Sequence, residues 1–423
     1  MRKAFIFYHF LPPDQVVSAI LMGELAAELV EDGWDVTAFT CNRDSRNENL
    51  QYASKSDWNG VHVRRLWRPP FKQSTSAGRI LNAIWMIARW SVLGCNPRLH
   101  PDVLIVGSDP VLSVLIALVW RIAKPRARIV HWCFDLYPEA AIADGLLKPN
   151  GWIVWLLKVL MKKAYSACDL IVDIGSRMQA LLRLYKMETP TVTLPPWALQ
   201  ESIRPTPIDF TERRMIFGEC QLALMYSGSL GKAHSYGDVV QLARSLRHTN
   251  IRIAFSIGEQ AAAKLRKTLS EDQNIIFVPT VPTEHISTRL SSADIHIVTL
   301  KENWTGIVVP SKFFGALAIG RPVLFCGRPD SDIARLIIQY RIGWVLAPGC
   351  AHEIAREMSE LKSHPEELQK LFEHCFEVYT RFFSKAAAMA SWKRELRKLA
   401  PARDEGQAGD VRVDANVPPG HIL

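Results

Sequence analysis

Three short segments hold the residue types that could do chemistry. In VVPSKFFGALAIGRPVLFCG (residues 308–327), Ser311 is placed to cap a helix running from Lys312 to Ala318. The free amides of the first turn, the positive helix end and the Lys312 ammonium would then converge on one point, an anion site that a phosphate fits. An ordinary capped core helix with a surface lysine fits the same residues. In YSGSLGKAH (226–234), a strand-like run is followed by Gly228, Ser229, Gly231, Lys232 and His234. Glycines let a diphosphate approach the backbone and Lys232 adds charge, although the spacing matches neither a P-loop nor GxGxxG. A plain strand-to-helix turn is the structural alternative. In HWCFDLYPEAAIADG (131–145), His131, Asp135 and Glu139 gather just past a strand, where such sheets contact ligands. A satisfied core histidine and a helix-capping aspartate are the plainer readings there.

These segments need elements that hold them. AFIFYHF (4–10) reads as a strand, SAILMGELAAELVEDG as a helix stopped at Gly33, and WDVTAFT as a second strand. This β-loop-α-β opening begins a parallel, doubly wound sheet, with further strands predicted at 103–106, 128–133 and 170–173. After Pro195-Pro196 the pattern restarts: ALMYSGSLG runs into a small-residue loop, DVVQLARSLR is helical, and IRIAFSIG, IIFVP and IHIVTL are strands. Two nucleotide-fold domains in tandem are implied, and 423 residues suffice for two or three domains. The residues after Ala400 have the polar, Gly/Pro-containing look of disorder.

Composition narrows the partners. With 48% hydrophobic and 22% charged residues the chain is globular rather than collagen-like, disordered or disulfide-scaffolded. Its eight cysteines are scattered without a CxxC pair, which reads as reduced thiols and no structural zinc. The N-terminal apolar run is short and lacks a small-residue cleavage site, so it is read as a strand rather than a signal peptide. The net charge of +9 favours anionic partners. Residues 58–101 contain no Asp or Glu, seven Arg/Lys and four tryptophans, and GWIVWLLKVLMKK (151–163) adds a second aromatic and basic stretch. Tryptophan beside basic groups suits an anionic lipid interface. Arg64, Arg65, Trp67, Arg68, Trp85, Trp90, Trp152 and Trp155 are the expected membrane or acceptor contacts. The longest apolar segments are interrupted by charge, so the expected attachment is peripheral. Nucleic acid is set aside because no RNA- or DNA-binding motif accompanies the charge.

A resemblance rests on several of these motifs together. YHFLPPD with LAAELVEDGWDVTAFT, DLYPEAAIADG, PPW at 195–197, SGSLGKAH, PSKFFGALAIGRPVL followed by DSDIARLI, and the terminal ASWKREL resemble family-4 glycosyltransferases. The likeness spans roughly residues 1–399 and points to the branch that builds bacterial surface polysaccharides. It implies a GT-B α/β fold of two facing Rossmann-like, doubly wound domains. An acceptor domain would span 1–198, a nucleotide-sugar domain 199–385, a crossover helix 386–400 and a disordered tail 401–423. It also implies a nucleotide diphosphate sugar donor, a lipid-linked or glycan acceptor, retention of configuration, no obligatory metal or other cofactor, and a place on the cytoplasmic face of the inner membrane. The donor would meet Gly228, Ser229, Gly231, His234, Val281, Pro310, Ser311, Phe313 and Asp332. Lys232 and Lys312 would balance the leaving diphosphate, with Asp135 and His131 as further catalytic candidates.

The chain departs from the family pattern in places. The usual pair of glutamates would fall at Ile307 and Gly315, the usual Arg and Lys of the phosphate loop near Ser229 and His234, and the usual histidine at Phe134. Ribose and sugar contacts then pass to Asp330 or Asp332. A nucleotide-sugar 2-epimerase and a non-catalytic nucleotide-sugar-binding protein on the same fold are the rival readings.

Overall fold

A computed structural model describes residues 1–269 and 271–401; the 401–423 tail, but for Pro401, lies outside the described residues. The first sheet comprises β1 (Lys3–Phe7), β2 (Asp35–Cys41), β3 (Lys55–Trp58), β4 (Val61–Leu66), β5 (Val103–Gly107), β6 (Arg128–Trp132), β7 (Leu170–Asp173) and β8 (Thr191–Thr193). Their spatial order is β3-β4-β2-β1-β5-β6-β7-β8, parallel except for the β3–β4 pair. The strands at its centre are covered on both faces, so β1 and β5 read as continuous apolar runs. The sequence pattern passes over β3 and β4 because KSDW is mostly exposed. Their signal is Asn59-Gly60, whose φ values of 48° and 78° make the two-residue turn that suits a right-twisted hairpin.

The helices of this half are α1 (Val17–Glu31), α2 (Ser76–Gly94), α3 (Ile116–Ala123), α4 (Glu139–Ala143), α5 (Trp152–Ser166) and α6 (Ser176–Arg183). The path from β1 to β2 runs in one direction across the sheet and the path from β5 to β7 in the other, so right-handed crossovers put α1 on one face and α3 and α5 on the opposite one. There α3 lies between α2 and α5.

The second sheet comprises β9 (Leu222–Ser227), β10 (Ile251–Ser256), β11 (Ile275–Val278), β12 (Ile295–Thr299), β13 (Val323–Cys326) and β14 (Gly343–Leu346), ordered β11-β10-β9-β12-β13-β14 and parallel throughout. It carries α7 (Phe210–Phe217), α8 (Gly237–Ser245), α9 (Glu259–Thr268), α10 (Ile286–Ser291), α11 (Lys312–Ala318), α12 (Asp332–Tyr340), α13 (Ala351–Leu361) and α14 (Pro365–Val378). Strand order reverses between β1 and β5 in one sheet and between β9 and β12 in the other, the places where open sheets bind ligands.

A π-helical turn at Tyr379–Phe383 leads to α15 (Lys385–Leu399), capped by Ser384. This last helix returns to the first domain and packs on α1. Trp392 of α15 meets Trp132 edge-on at 4.8 Å, and Trp132 stacks on Trp197 at 5.8 Å. Lys393 pairs with Glu28 at 3.1 Å and Arg397 with Asp32 at 2.6 Å. No helix among the described residues is long and apolar enough to cross a membrane.

Candidate functional site

A cavity of about 580 Å³ lies against the β9 loop and α11 of the second domain, with residues 197–202 of the linker and Val17 of α1 completing its wall. Gly228, Ser229, Ser311 and Lys312 line it, so the two glycine- and lysine-bearing segments singled out in the sequence do meet. Gly228 explains how. Its φ of 107° is a conformation L side chains rarely adopt, and a Cβ there would stand 3.0 Å from Lys312 Cε. The missing side chain leaves a groove across which the lysine lies.

Lys312 is fixed at its tip. Its Nζ donates to the Ser229 carbonyl at 3.0 Å, stands 3.4 Å from His234 Nε2, and sits 5.2 Å from the Tyr226 ring centroid. His234 Nδ1 faces the Thr299 carbonyl at 2.7 Å, so it carries the proton and Nε2 is left to accept from the ammonium. Burial and the neighbouring Lys312 charge push the His234 imidazole down to about 4, which keeps it neutral. Burial also lowers Lys312 to about 8. His234 therefore positions the cation rather than adding a second one.

Several expected donor contacts fall elsewhere. Ser311 makes no side-chain cap; instead the Phe313 and Phe314 amides bond the Pro310 and Ser311 carbonyls in a tight first turn, so these helix amides are already used. Pro310 is buried, and Phe313 belongs to the core, edge-on to Phe314 and Phe383. Gly231 and Val281 do not line the cavity. Lys232 is mostly exposed and forms an ion pair with Asp144 of the first domain. Asp332 also faces the other domain, accepting from Ser176 Oγ and the Arg177 amide, each at 2.9 Å, so it caps α6 from across the cleft. Asp330 pairs with Arg177 and Arg328. Neither aspartate lines the cavity, because each is held by a partner on a surface that sequence reading could not orient.

On the first domain, Asp135 and His131 share a pocket of about 10 Å³, room for about one water. His131 is a core histidine: Nδ1 bonds the Val106 carbonyl at 2.8 Å, and burial pushes the ring down to about 4. Asp135 is different. Burial, reinforced by the Asp109 charge, pushes its carboxyl up to about 7, where it can exchange a proton.

Among the aromatic and basic positions, Arg64, Trp67, Trp85, Trp152 and Trp155 are exposed. Arg65, Arg68 and Trp90 are buried and cannot meet a membrane. Arg65 donates to Ser56 Oγ and the Pro12 carbonyl, Arg68 lies 5.6 Å from the Phe10 ring, and Trp90 packs edge-on against Phe7. Residues the sequence reading missed are those of the 197–202 linker and Ser287 and Leu290 of α10. They carry no motif, and only the docking of one domain on the other gathers them.

The fold and this paired-domain cleft define a GT-B protein. Residues 19–197 match the family described as glycosyl transferase 4-like domain, and the chain is a glycosyltransferase of GT-B type. It is similar to a probable glycosyltransferase of Pseudomonas aeruginosa, WbjE, with 26% identity over 69% of this chain and 74% of that one. It is also similar to WcaI of Escherichia coli, a putative colanic acid biosynthesis glycosyl transferase, with 22% identity over 64% and 69%. Among solved structures, sucrose-phosphate synthase of Thermosynechococcus elongatus superposes with a TM-score of 0.72 at 13% identity, covering 94% of this chain and 99% of that one. HepE of Anabaena, in complex with UDP and glucose, gives 0.64 at 11%, covering 94% and 100%.

Proposed function

We propose that the protein transfers a sugar from a nucleotide diphosphate donor to a glycan or lipid-linked acceptor in bacterial surface-polysaccharide assembly, with retention of configuration and without an obligatory metal. The observation that carries this reading is the Lys312 ammonium, fixed on the cavity wall beside the side-chain-free backbone of Gly228. The donor's diphosphate would lie there, with the nucleoside toward α10 and the linker. The colanic acid relative and the UDP complex of a fold neighbour support the substrate class.

In a retaining reaction of this kind the acceptor hydroxyl attacks on the leaving-group side. A donor phosphate oxygen takes its proton as the bond to the anomeric carbon forms and the bond to the diphosphate breaks. The protein's main task is then to balance charge on the departing diphosphate, and loss of one such oriented donor costs on the order of 10²–10³ in rate. Lys312 has this role. Lys232, paired with Asp144, is the nearby cation that domain movement could release.

Asp135 favours a second reading. A carboxyl near neutrality at the facing edge of the first domain suits a protein base, as an inverting transferase or an epimerase would need. Nucleotide-sugar panels with product analysis separate the readings. The proposal expects a donor-dependent product with the donor's anomeric configuration and turnover that survives EDTA. An inverted product would make Asp135 the base, activity restored only by added divalent ions would remove the metal-free route, and conversion of donor without acceptor would indicate the epimerase.

A further inference from the structure

The face of the first domain opposite α1 is unusual in two independent respects. It is apolar where it meets solvent: Ile80, Ile84 and Trp85 of α2, and Trp152, Trp155 and Leu156 at the start of α5, are all exposed, with Trp152 at 74%, Trp155 at 68% and Ile84 at 60%. Ile80 and Ile84, like Trp152 and Leu156, are one helical turn apart and form short stripes rather than scattered singletons. The helices of this face also carry one sign of charge. Helices α2, α3 and α5 contain no Asp or Glu; Arg121 and Lys158 are paired with Asp169 and Glu139 of neighbouring segments, which leaves Arg79, Arg89, Lys162 and Lys163 as the cations offered to solvent. By contrast α1, on the other face, carries Glu24, Glu28 and Glu31.

We propose that the α2–α3–α5 layer is a docking face for an anionic lipid bilayer. Tryptophans and aliphatic side chains at helix starts would enter the headgroup boundary while the lysines and arginines meet lipid phosphates, the combination that holds amphipathic surfaces on anionic membranes. A second copy of the chain fits this face poorly, because isologous pairing would set cations against cations. The lipid source is therefore favoured by charge. Arg65, Arg68 and Trp90 take no part, since they are buried; Ile80, Ile84, Leu156, Lys162 and Lys163 take their place.

The position of the layer gives it a use. Helices α2 and α5 begin at the carboxyl-end edge of the first sheet, the edge that faces the cleft. Trp152 follows by eight residues Asp144, which pairs with Lys232 of the second domain. A bilayer bound here would lie at the mouth of the cleft. If the transferase reading holds, a lipid-linked acceptor could pass from the membrane into the cleft without leaving the surface.

The test is flotation of the full chain with vesicles of phosphatidylcholine, with and without phosphatidylglycerol, at low and high salt. The proposal expects binding to anionic vesicles that salt weakens and that neutral vesicles do not support. Lys162→Gln/Lys163→Gln should lower partitioning about fivefold per lysine, and Trp152→Ala/Trp155→Ala should remove most of it, both variants keeping the wild-type melting temperature. Equal binding to neutral and anionic vesicles would overturn the proposal, as would full binding by both double variants. A wild-type dimer dissolved by Trp152→Ala/Trp155→Ala would assign the face to a second copy instead. Flotation needs neither donor nor acceptor, so its failure would leave the transferase reading standing, and inactivity of a vesicle-bound protein would do the reverse.

Discussion

With Lys312 lowered to about 8 by burial, its charge is present below that pH and lost above it. Binding of a nucleoside diphosphate through this ammonium should therefore weaken as pH rises through about 8, approaching tenfold per unit. Lys312→Arg should flatten the profile, because a guanidinium stays charged. Lys312→Ala should weaken nucleotide binding roughly 10- to 100-fold, the usual worth of a hydrogen bond to a charged group, without lowering the melting temperature. Calorimetric titration of UDP, GDP and TDP across pH checks the wild type and both variants; unchanged affinity in Lys312→Ala would put the phosphate elsewhere. Asp135→Asn tests the other titrating residue. If the donor phosphate is the base, the rate should stay within about tenfold of wild type; a loss nearer the 10²–10⁴ of a removed general base, with loss of a pH limb near 7, would give Asp135 that role.

Helix α11 has a glycine in its interior, and Gly315 lines the cavity with nothing within 4 Å of where a Cβ would stand. An interior helix glycine is unfavourable by ~1 kcal/mol relative to alanine, so a larger residue here is tolerated by the helix and felt by the ligand. Gly315→Leu should hold or raise the melting temperature while abolishing the thermal shift that nucleotide produces. A retained shift would mean that the nucleotide does not occupy this cavity. The absence of an acid at Ile307 and Gly315 is consistent with this geometry: Ile307 is buried, with its carbonyl accepting the Leu136 amide, and Gly315 leaves space instead of a carboxylate.

Across the whole molecule, polar contacts join the two domains, while the Trp132, Trp197 and Trp392 cluster anchors α15 on the first. Asp332 reaches Ser176 and the Arg177 amide, Arg177 pairs with Asp330, and Asn303 donates to the Ala143 carbonyl at 2.8 Å. Asp332→Ala removes the acceptor of two cross-domain hydrogen bonds, which should cost ~1–3 kcal/mol and enlarge the radius of gyration in small-angle scattering. Nucleotide affinity should change little, since Asp332 does not line the cavity. Loss of nucleotide binding with an unchanged scattering profile would return Asp332 to the donor site.

The parallel central strands of both sheets and the approach of SGSLGKAH to PSKFFGALAIG were legible in the sequence. Central strands buried on both faces must be continuous apolar runs, and strand-to-helix loops at a switch point must lie together. The position of Lys312 against the Gly228 loop was legible for the same reason, because it depends only on its own helix and on a loop of the same domain. Strands that are short or exposed, such as KSDW and TVT, carry no such pattern. Tertiary structure alone decided where the remaining charges point. Asp332 lies 156 residues from Ser176 and Lys232 88 residues from Asp144, and whether an acid or a lysine faces a ligand or the other domain depends on how the two separate sheets dock. The same holds for the basic, tryptophan-rich segment. Its composition announces a charged apolar surface, but the rotation of each element on the sheet sends Arg65, Arg68 and Trp90 inward and leaves Ile84, Trp152 and Trp155 outside.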